Sequence, residues 1–297
     1  MNSSLRLSPR DLWLLALITI AWGVNWPIMK LGVEGLPPMT FRCLSMVIGL
    51  PLLAAIARAR GISLRVPREH WRELLFLALF NLTFWFVLAM YGVKLLSSGR
   101  AAILGYTLPI WSAVIGAWVF GEHPSRRVWG GVAAAALGVL LLVAGEAAAL
   151  AGQPLGTVLM LAAAASWAYG THLMRRRRQT THVLTITFWS LAISLVVCGA
   201  IAAVFEHSSW TRNPSGGAWF AVCYNAFIIF GLVQVIWFRM ASTLPPVASG
   251  LSLMLIPVIG LFSGALMLGE PITWMDLAAL ASIVVAMSTV LLPGRSR

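Results

Sequence analysis

Charge is scarce in this chain. Lysine, arginine, aspartate and glutamate make up 10% of its 297 residues and hydrophobic residues 60%, against about 25% and about 45–50% in soluble domains. So few charges cannot build a water-facing shell, and a soluble globule is excluded. Acid is scarcer still. The nine acidic residues are Asp11, Glu34, Glu69, Glu73, Glu122, Glu146, Glu206, Glu270 and Asp276, all at or beyond the ends of apolar runs. That leaves no carboxylate pair and no nucleophile with its base, so an enzyme is not expected. The three cysteines, Cys43, Cys198 and Cys223, lie inside apolar segments with neither metal-ligand spacing nor a pairing pattern. They read as small buried hydrophobes, and no metal or cofactor is called for.

Long apolar runs are what the chain has instead. A hydrocarbon core about 30 Å thick takes roughly 20 residues of helix. Ten stretches approach that length: Leu12 to Leu31, Met39 to Ala57, Arg72 to Val93, Ser97 to Phe120, Val128 to Gly145, Pro154 to Met174, Val183 to Phe205, Gly217 to Met240, Pro246 to Leu268 and Trp274 to Leu292. Gly35-Leu36-Pro37-Pro38 and Gly121-Glu122-His123-Pro124 mark two of the short turns between them. The first run passes through Trp22 to Trp26 without a small-x-small cleavage site, which makes it a retained helix. The expected fold is an all-α integral membrane protein of ten transmembrane helices.

The net charge of +12 would suit nucleic acid if it formed one polar face. It does not. The basic residues border apolar spans: with a cytoplasmic N-terminus, sixteen Lys and Arg fall on one side, Arg65 and the run Arg175 to Arg178 among them, and five (Lys30, Arg42, Lys94, Arg100, Arg212) on the other. That positive-inside bias puts both termini in the cytoplasm and makes nucleic acid an unexpected partner. The chain also echoes itself. Leu108-Pro109 and Gly121-Glu122 return as Ile256-Pro257 and Gly269-Glu270, 148 residues on, and Trp22 to Lys30 is echoed by Trp167 to Arg175. Two five-helix halves follow, residues 1–148 and 149–297, and because five is odd the second enters the membrane inverted, a plan characteristic of transporters.

The same residues carry a resemblance. Ala21-Trp22-Gly23-Val24-Asn25, Arg42, the stretch from Ala89 through Leu108-Pro109 to Gly121-Glu122, then Ser166-Trp167-Ala168, Ile256-Pro257 and Gly269-Glu270-Pro271 together resemble the drug/metabolite transporter superfamily, EamA type, across essentially the whole chain. The resemblance implies a transporter of a bacterial-type inner membrane. The abundance of tryptophan looks most like the YddG-type exporters of aromatic amino acids. Arg42 departs from symmetry, since Phe188-Trp189 stands where Phe41-Arg42 would repeat.

The fourteen tryptophans divide by depth. Trp13, Trp71, Trp129, Trp210, Trp219 and Trp274 lie near segment ends, where indoles anchor at the interface. Of the deeper ones, Trp22 and Trp26 share a helical stripe with Asn25 and Met29, and an amide at that depth must find a partner or line a cavity. Trp167 and Thr171 form the matching stripe in the second half, Asn81 and Trp85 are i, i+4 neighbours, and Gln234 shares an expected face with Phe227 and Gly231. Tyr106 and Met254, related by the 148-residue repeat, are positioned to close the same cavity. The expected substrate-binding set is therefore Trp22, Asn25, Trp26, Asn81, Trp85, Tyr106, Trp167, Thr171, Gln234 and Met254, with Pro109 and Pro257 as hinges or static kinks.

Aromatic walls with a few amides suit a small neutral or zwitterionic metabolite, an aromatic or other amino acid. Phosphorylated solutes would call for a deep cation, and Arg42, Lys94 and Arg239 each have a helix end to snorkel to. Lipophilic cations would call for a buried carboxylate. Small uncharged drugs as cargo, and a membrane subunit that transports nothing, are the alternatives. The expected partners are the small solute and the lipid bilayer, with the oligomeric state open and a monomer included.

Overall fold

The computed structural model describes residues 9–148, 154–177, 180–209, 213–234, 236 and 246–291. Trp210, Arg212, Trp237, Arg239 and Arg178 of the basic run lie outside that set. Among the described residues every regular element is helical. In chain order the helices are α1 (Pro9–Gly35), α2 (Pro38–Ala59), α3 (Arg68–Leu95), α4 (Ser98–Phe120), α5 (Arg126–Ala148), α6 (Pro154–Arg175), α7 (Val183–Glu206), α8 (Gly216–Val233), α9 (Pro246–Leu268) and α10 (Trp274–Leu291).

Seven of them, α1 to α5, α7 and α8, are long and apolar enough to cross a membrane, while α9 and α10 each offer a shorter apolar stretch, Ser252–Leu268 and Trp274–Val290. Helix α6 carries Thr157, Ser166, Thr171 and His172, and buries Thr157 and His172 within the bundle. A helix walled in by protein can hold polar groups that lipid would reject.

Local chemistry sets the helix limits. Proline occupies the first turn of α2, where its missing N–H has no intrahelical partner to lose. Ser97 caps α4 by accepting from the Arg100 N–H at 3.4 Å, and Ser215 caps α8 through the Ala218 N–H at 3.2 Å. Helix α10 opens on a capping box: the Asp276 carboxylate accepts from the Thr273 N–H at 2.9 Å, and the Thr273 hydroxyl accepts from the Asp276 N–H at 3.3 Å.

Three helices contain wide π turns, over Ala78–Thr83 in α3, Ala202–Glu206 in α7 and Tyr224–Val233 in α8. Helix α4 breaks at Tyr106 and Thr107, between Ser98–Gly105 and Leu108–Phe120, and there the Thr107 hydroxyl donates to the Leu104 carbonyl at 2.6 Å. The most extensive packing joins α3 to α6, α5 to α10, α1 to α9 and α4 to α6. One core runs through the bundle, and a small second cluster, Leu74, Leu77 and Ile186 with Trp71 and Trp189 against it, sits at the arginine-rich end.

Candidate functional site

An aromatic cluster lies near the middle of four helices. Trp26 of α1 meets Trp85 of α3 edge-on at 6.4 Å between ring centroids and Tyr106 of α4 at 6.3 Å, and Trp85 meets Trp167 of α6 at 4.6 Å. Glycines seat the central indole. A Cβ at Gly105 of α4 would run into the Trp26 ring, and one at Gly260 of α9 would strike Ala102 and crowd the same ring, so a larger residue at Gly105 would push the indole from its slot. Edge-to-face and tilted pairs at these separations are favoured by about 0.5–1.5 kcal/mol each beyond area burial.

Four of the ten expected site residues thus meet directly, and the other six are placed one by one. Asn25 is 7% exposed and its Oδ1 accepts from Asn225 Nδ2 of α8 at 3.0 Å. Trp22 and Met254 are half-buried against the main core. Asn81 lies in the π turn of α3 with its backbone against Gly170 of α6. The Thr171 hydroxyl donates to the Trp167 carbonyl one turn back at 2.9 Å, so its own helix takes it. Gln234 is half-buried just past the π turns of α8.

Phe227, expected on one face with Gly231 and Gln234, is 50% exposed and shares a surface groove with Gly231 and with Leu52 of α2. One expectation is corrected. Arg42 does not snorkel. It is 2% exposed, with its guanidinium turned into the bundle 4.6 Å from the Phe86 ring centroid.

Around that guanidinium is a polar chain that sequence reasoning missed. Arg42 Nη1 donates to Asn225 Oδ1 at 3.3 Å, and Asn225 Nδ2 donates to Asn25 Oδ1 and, at 3.1 Å, to the Ala221 carbonyl. With both amide protons spent, Asn225 can only present its oxygen to the arginine. The signal was available, since Asn225 is a lone amide in the apolar run Phe220 to Val233, and the argument applied to Asn25 applies to it equally.

The tryptophans placed at segment ends divide. Trp13 and Trp274 are 77% and 66% exposed, as indoles at a bilayer interface should be, whereas Trp71 packs edge-on against Trp189 at 4.9 Å. Trp189 donates its indole N–H to the Leu64 carbonyl at 2.7 Å, which ties it to the arginine-rich end and away from the cluster. His172 is buried against Ser112 of α4 and stacked on Phe120 at 4.9 Å.

Charged side chains bind the end where α1 turns into α2. Glu206 of α7, 6% exposed, accepts from the Met39 and Thr40 N–H groups that open α2 and from the Tyr91 hydroxyl. Lys30 donates to the carbonyls of Val93, Lys94 and Leu96 at the end of α3, and Arg100 pairs with Asp276 at 2.7 Å. Among the described residues no cluster of His, Cys, Asp and Glu is grouped to hold a metal ion.

The model of the EamA-like transporter family matches the chain twice, over residues 10–144 and 154–292. Transporter YoaV of Bacillus subtilis (strain 168) is 26% identical over 86% of this chain and 88% of its own. A probable amino-acid metabolite efflux pump of Salmonella typhimurium (strain LT2) is 26% identical over 94% and 93%, and inner membrane transporter YedA of Escherichia coli (strain K12) is 26% identical over 92% and 88%. A solved crystal structure superimposes with a TM-score of 0.66 at 19% identity, covering 95% of this chain and 99% of that one, a likeness of fold alone.

Proposed function

The chain belongs to the EamA-like transporter family, and from that premise we propose that it exports small neutral or zwitterionic metabolites, aromatic amino acids foremost, by alternating access. The observation that carries this reading is the meeting of Trp26, Trp85, Trp167 and Tyr106 from four different helices. Edge-on and tilted indoles give a planar ring an apolar slot without fixing its identity. Two relatives bear the name of amino-acid metabolite efflux pump, which supports the same solute class, and the abundance of tryptophan favours the YddG-like specificity.

The working unit in this reading is a bundle of ten spans made of two inverted halves, residues 1–148 and 149–297, with both termini cytoplasmic. Three observations support it: the sixteen-to-five split of basic residues, the paired family match, and the packing pattern. Exchanging the halves maps α1 on α9 to α6 on α4, and α3 on α6 to α8 on α1, and all four pairs are packed in the bundle. Pro109 and Pro257 then stand at related places on α4 and α9 as hinge candidates, and rocking of one half against the other exposes the aromatic slot to each side in turn.

The test is counterflow of labelled L-tryptophan in proteoliposomes. Trp26→Ala and Trp85→Ala, each removing one wall, should weaken apparent affinity severalfold to about tenfold or more, from about 0.5–1.5 kcal/mol of ring contact plus lost burial. Trp274→Ala, at an exposed position, should transport as the parent does. Equal losses from all three substitutions in well-folded protein would show that the slot is not the solute site.

A further inference from the structure

The aromatic slot accounts for a ring and leaves charge unaddressed. Arg42 addresses it. A guanidinium cannot shed its proton and carries five N–H donors, and here it is buried in a bundle that spans the bilayer. Burying a cation is costly unless a partner compensates it. Among the described residues, the ion pairs join Lys30 to Glu34, Arg100 to Asp276, and His172 and Arg176 to Glu122, and none reaches Arg42.

What Arg42 holds instead is weak. Nη1 reaches Asn225 Oδ1 at 3.3 Å, the long limit of a hydrogen bond, and Nη2 lies 3.3 Å from the Met29 sulfur and 3.0 Å from the Met90 sulfur. Nε is buried with no acceptor at all. In a guanidinium the Nε and Nη2 donors lie on the same edge and form the fork that takes a carboxylate side-on with two parallel hydrogen bonds. That edge is the one filled only by thioethers, weak acceptors that a carboxylate oxygen displaces. The rings of Phe86, Phe41 and Phe230, at 4.6, 5.6 and 5.7 Å, hold the cation meanwhile.

The polar chain and the aromatic slot share two helices at adjacent residues. On α1, Asn25 belongs to the chain and Trp26 to the slot; on α3, Trp85 belongs to the slot and Phe86 lies under the guanidinium. We propose that Arg42, oriented by the Asn225 and Asn25 amides, is the receptor for the solute's carboxylate, so that the protein carries aromatic carboxylates and amino acids and discriminates against the corresponding amides and amines. The role rests on the transport reading above and narrows it, since an uncharged aromatic drug leaves the buried cation uncompensated.

The experiment is counterflow of labelled L-tryptophan competed by unlabelled L-tryptophan, indole-3-propionate, L-tryptophanamide and tryptamine. The two carboxylates should compete at similar concentrations and the amide and amine at least tenfold more weakly. Arg42→Lys keeps the charge and loses the fork; it should raise the KM for tryptophan at least tenfold while the amide's competition moves less than twofold. Folding of the variant is checked by monodisperse elution and melting temperature, and should it fail to fold, the competition panel on the parent protein decides alone. Amide and acid competing equally, or Arg42→Lys weakening both alike, overturns the carboxylate role and leaves transport of aromatic solutes standing. Folded protein that moves no labelled tryptophan overturns the transport reading and the role of Arg42 with it.

Discussion

Two turns of the chain have the same local sequence and geometry and different attachments. Gly121-Glu122 after α4 and Gly269-Glu270 after α9 both turn on a glycine at φ +67°, and in both a carboxylate oxygen lies against a glycine of the preceding helix, Gly116 or Gly264. Glu270 then reaches across to another helix. Its oxygens accept from the Ser98 N–H at 2.7 Å, the Ser98 hydroxyl at 2.7 Å and the Gly99 N–H at 3.3 Å, closing the first turn of α4. Glu122 has side-chain exposure of 46% and takes Arg176, 48% exposed, at 2.9 Å. Local sequence decides the turn, and the neighbour that packs against it decides whether the carboxylate becomes a helix cap or half of a surface ion pair.

The largest test of this difference removes the carboxylates. Glu270→Ala orphans two N–H groups of a buried helix start, and with bonds to charged groups worth about 1.5–3 kcal/mol each, the loss should be about 3–6 kcal/mol. Glu122→Ala breaks a solvated pair of the kind usually worth about 0–1 kcal/mol. Thermal unfolding in one detergent should therefore separate the two variants by several degrees, and coincident melting curves would erase the distinction between the ends.

A smaller effect isolates the turns from what they present. Gly121→Ala and Gly269→Ala each force an L residue into the left-handed region, at about 1–2 kcal/mol, with open space around both positions. The two losses should match. A markedly greater loss at Gly269 would assign the difference between the ends to the backbone and not to the carboxylate.

Much of this was legible in advance, and the illegible part has a common cause. Helix positions follow from apolar runs and their punctuation; α9 begins at Pro246 and ends at Leu268 as expected. The stripe of Trp22, Asn25 and Trp26 put two residues beside their eventual partners because α1 is a regular α-helix through that stretch. Helix α8 is not, and over its π turns a 3.6-residue count no longer carries the seven residues from Phe227 to Gln234, though Phe227 and Gly231, four apart, line one groove. Arg42 and Glu206 failed differently. Both lie near helix ends, where long charged side chains ordinarily reach water, and whether they turn inward depends on α8 and α2, elements more than 160 residues away. Periodicity describes one helix at a time and says nothing of such partners.

The prolines extend the comparison at the smallest scale. Pro109 follows the break in α4, in the first turn of Leu108–Phe120, where a missing N–H costs no helical bond. Thr107 makes that break possible by giving its hydroxyl to Leu104; its counterpart 148 residues on is Leu255, which has none to give, and α9 runs unbroken through Pro257. Pro257 therefore removes a bond from the interior of a helix, leaving the Leu253 carbonyl without its i+4 donor. Pro257→Ala restores the donor and should raise stability by about 0.5–1.5 kcal/mol, while Pro109→Ala, which only loosens the unfolded chain, should lower it by about 0.4–1 kcal/mol. Opposite signs are the expectation. For transport, Pro257→Ala should slow turnover with little change in KM if α9 must bend during alternating access, and Pro109→Ala should leave turnover near the parent's because Thr107 keeps α4 broken. Slowing by Pro109→Ala alone would move the hinge to α4 and make Pro257 a static kink.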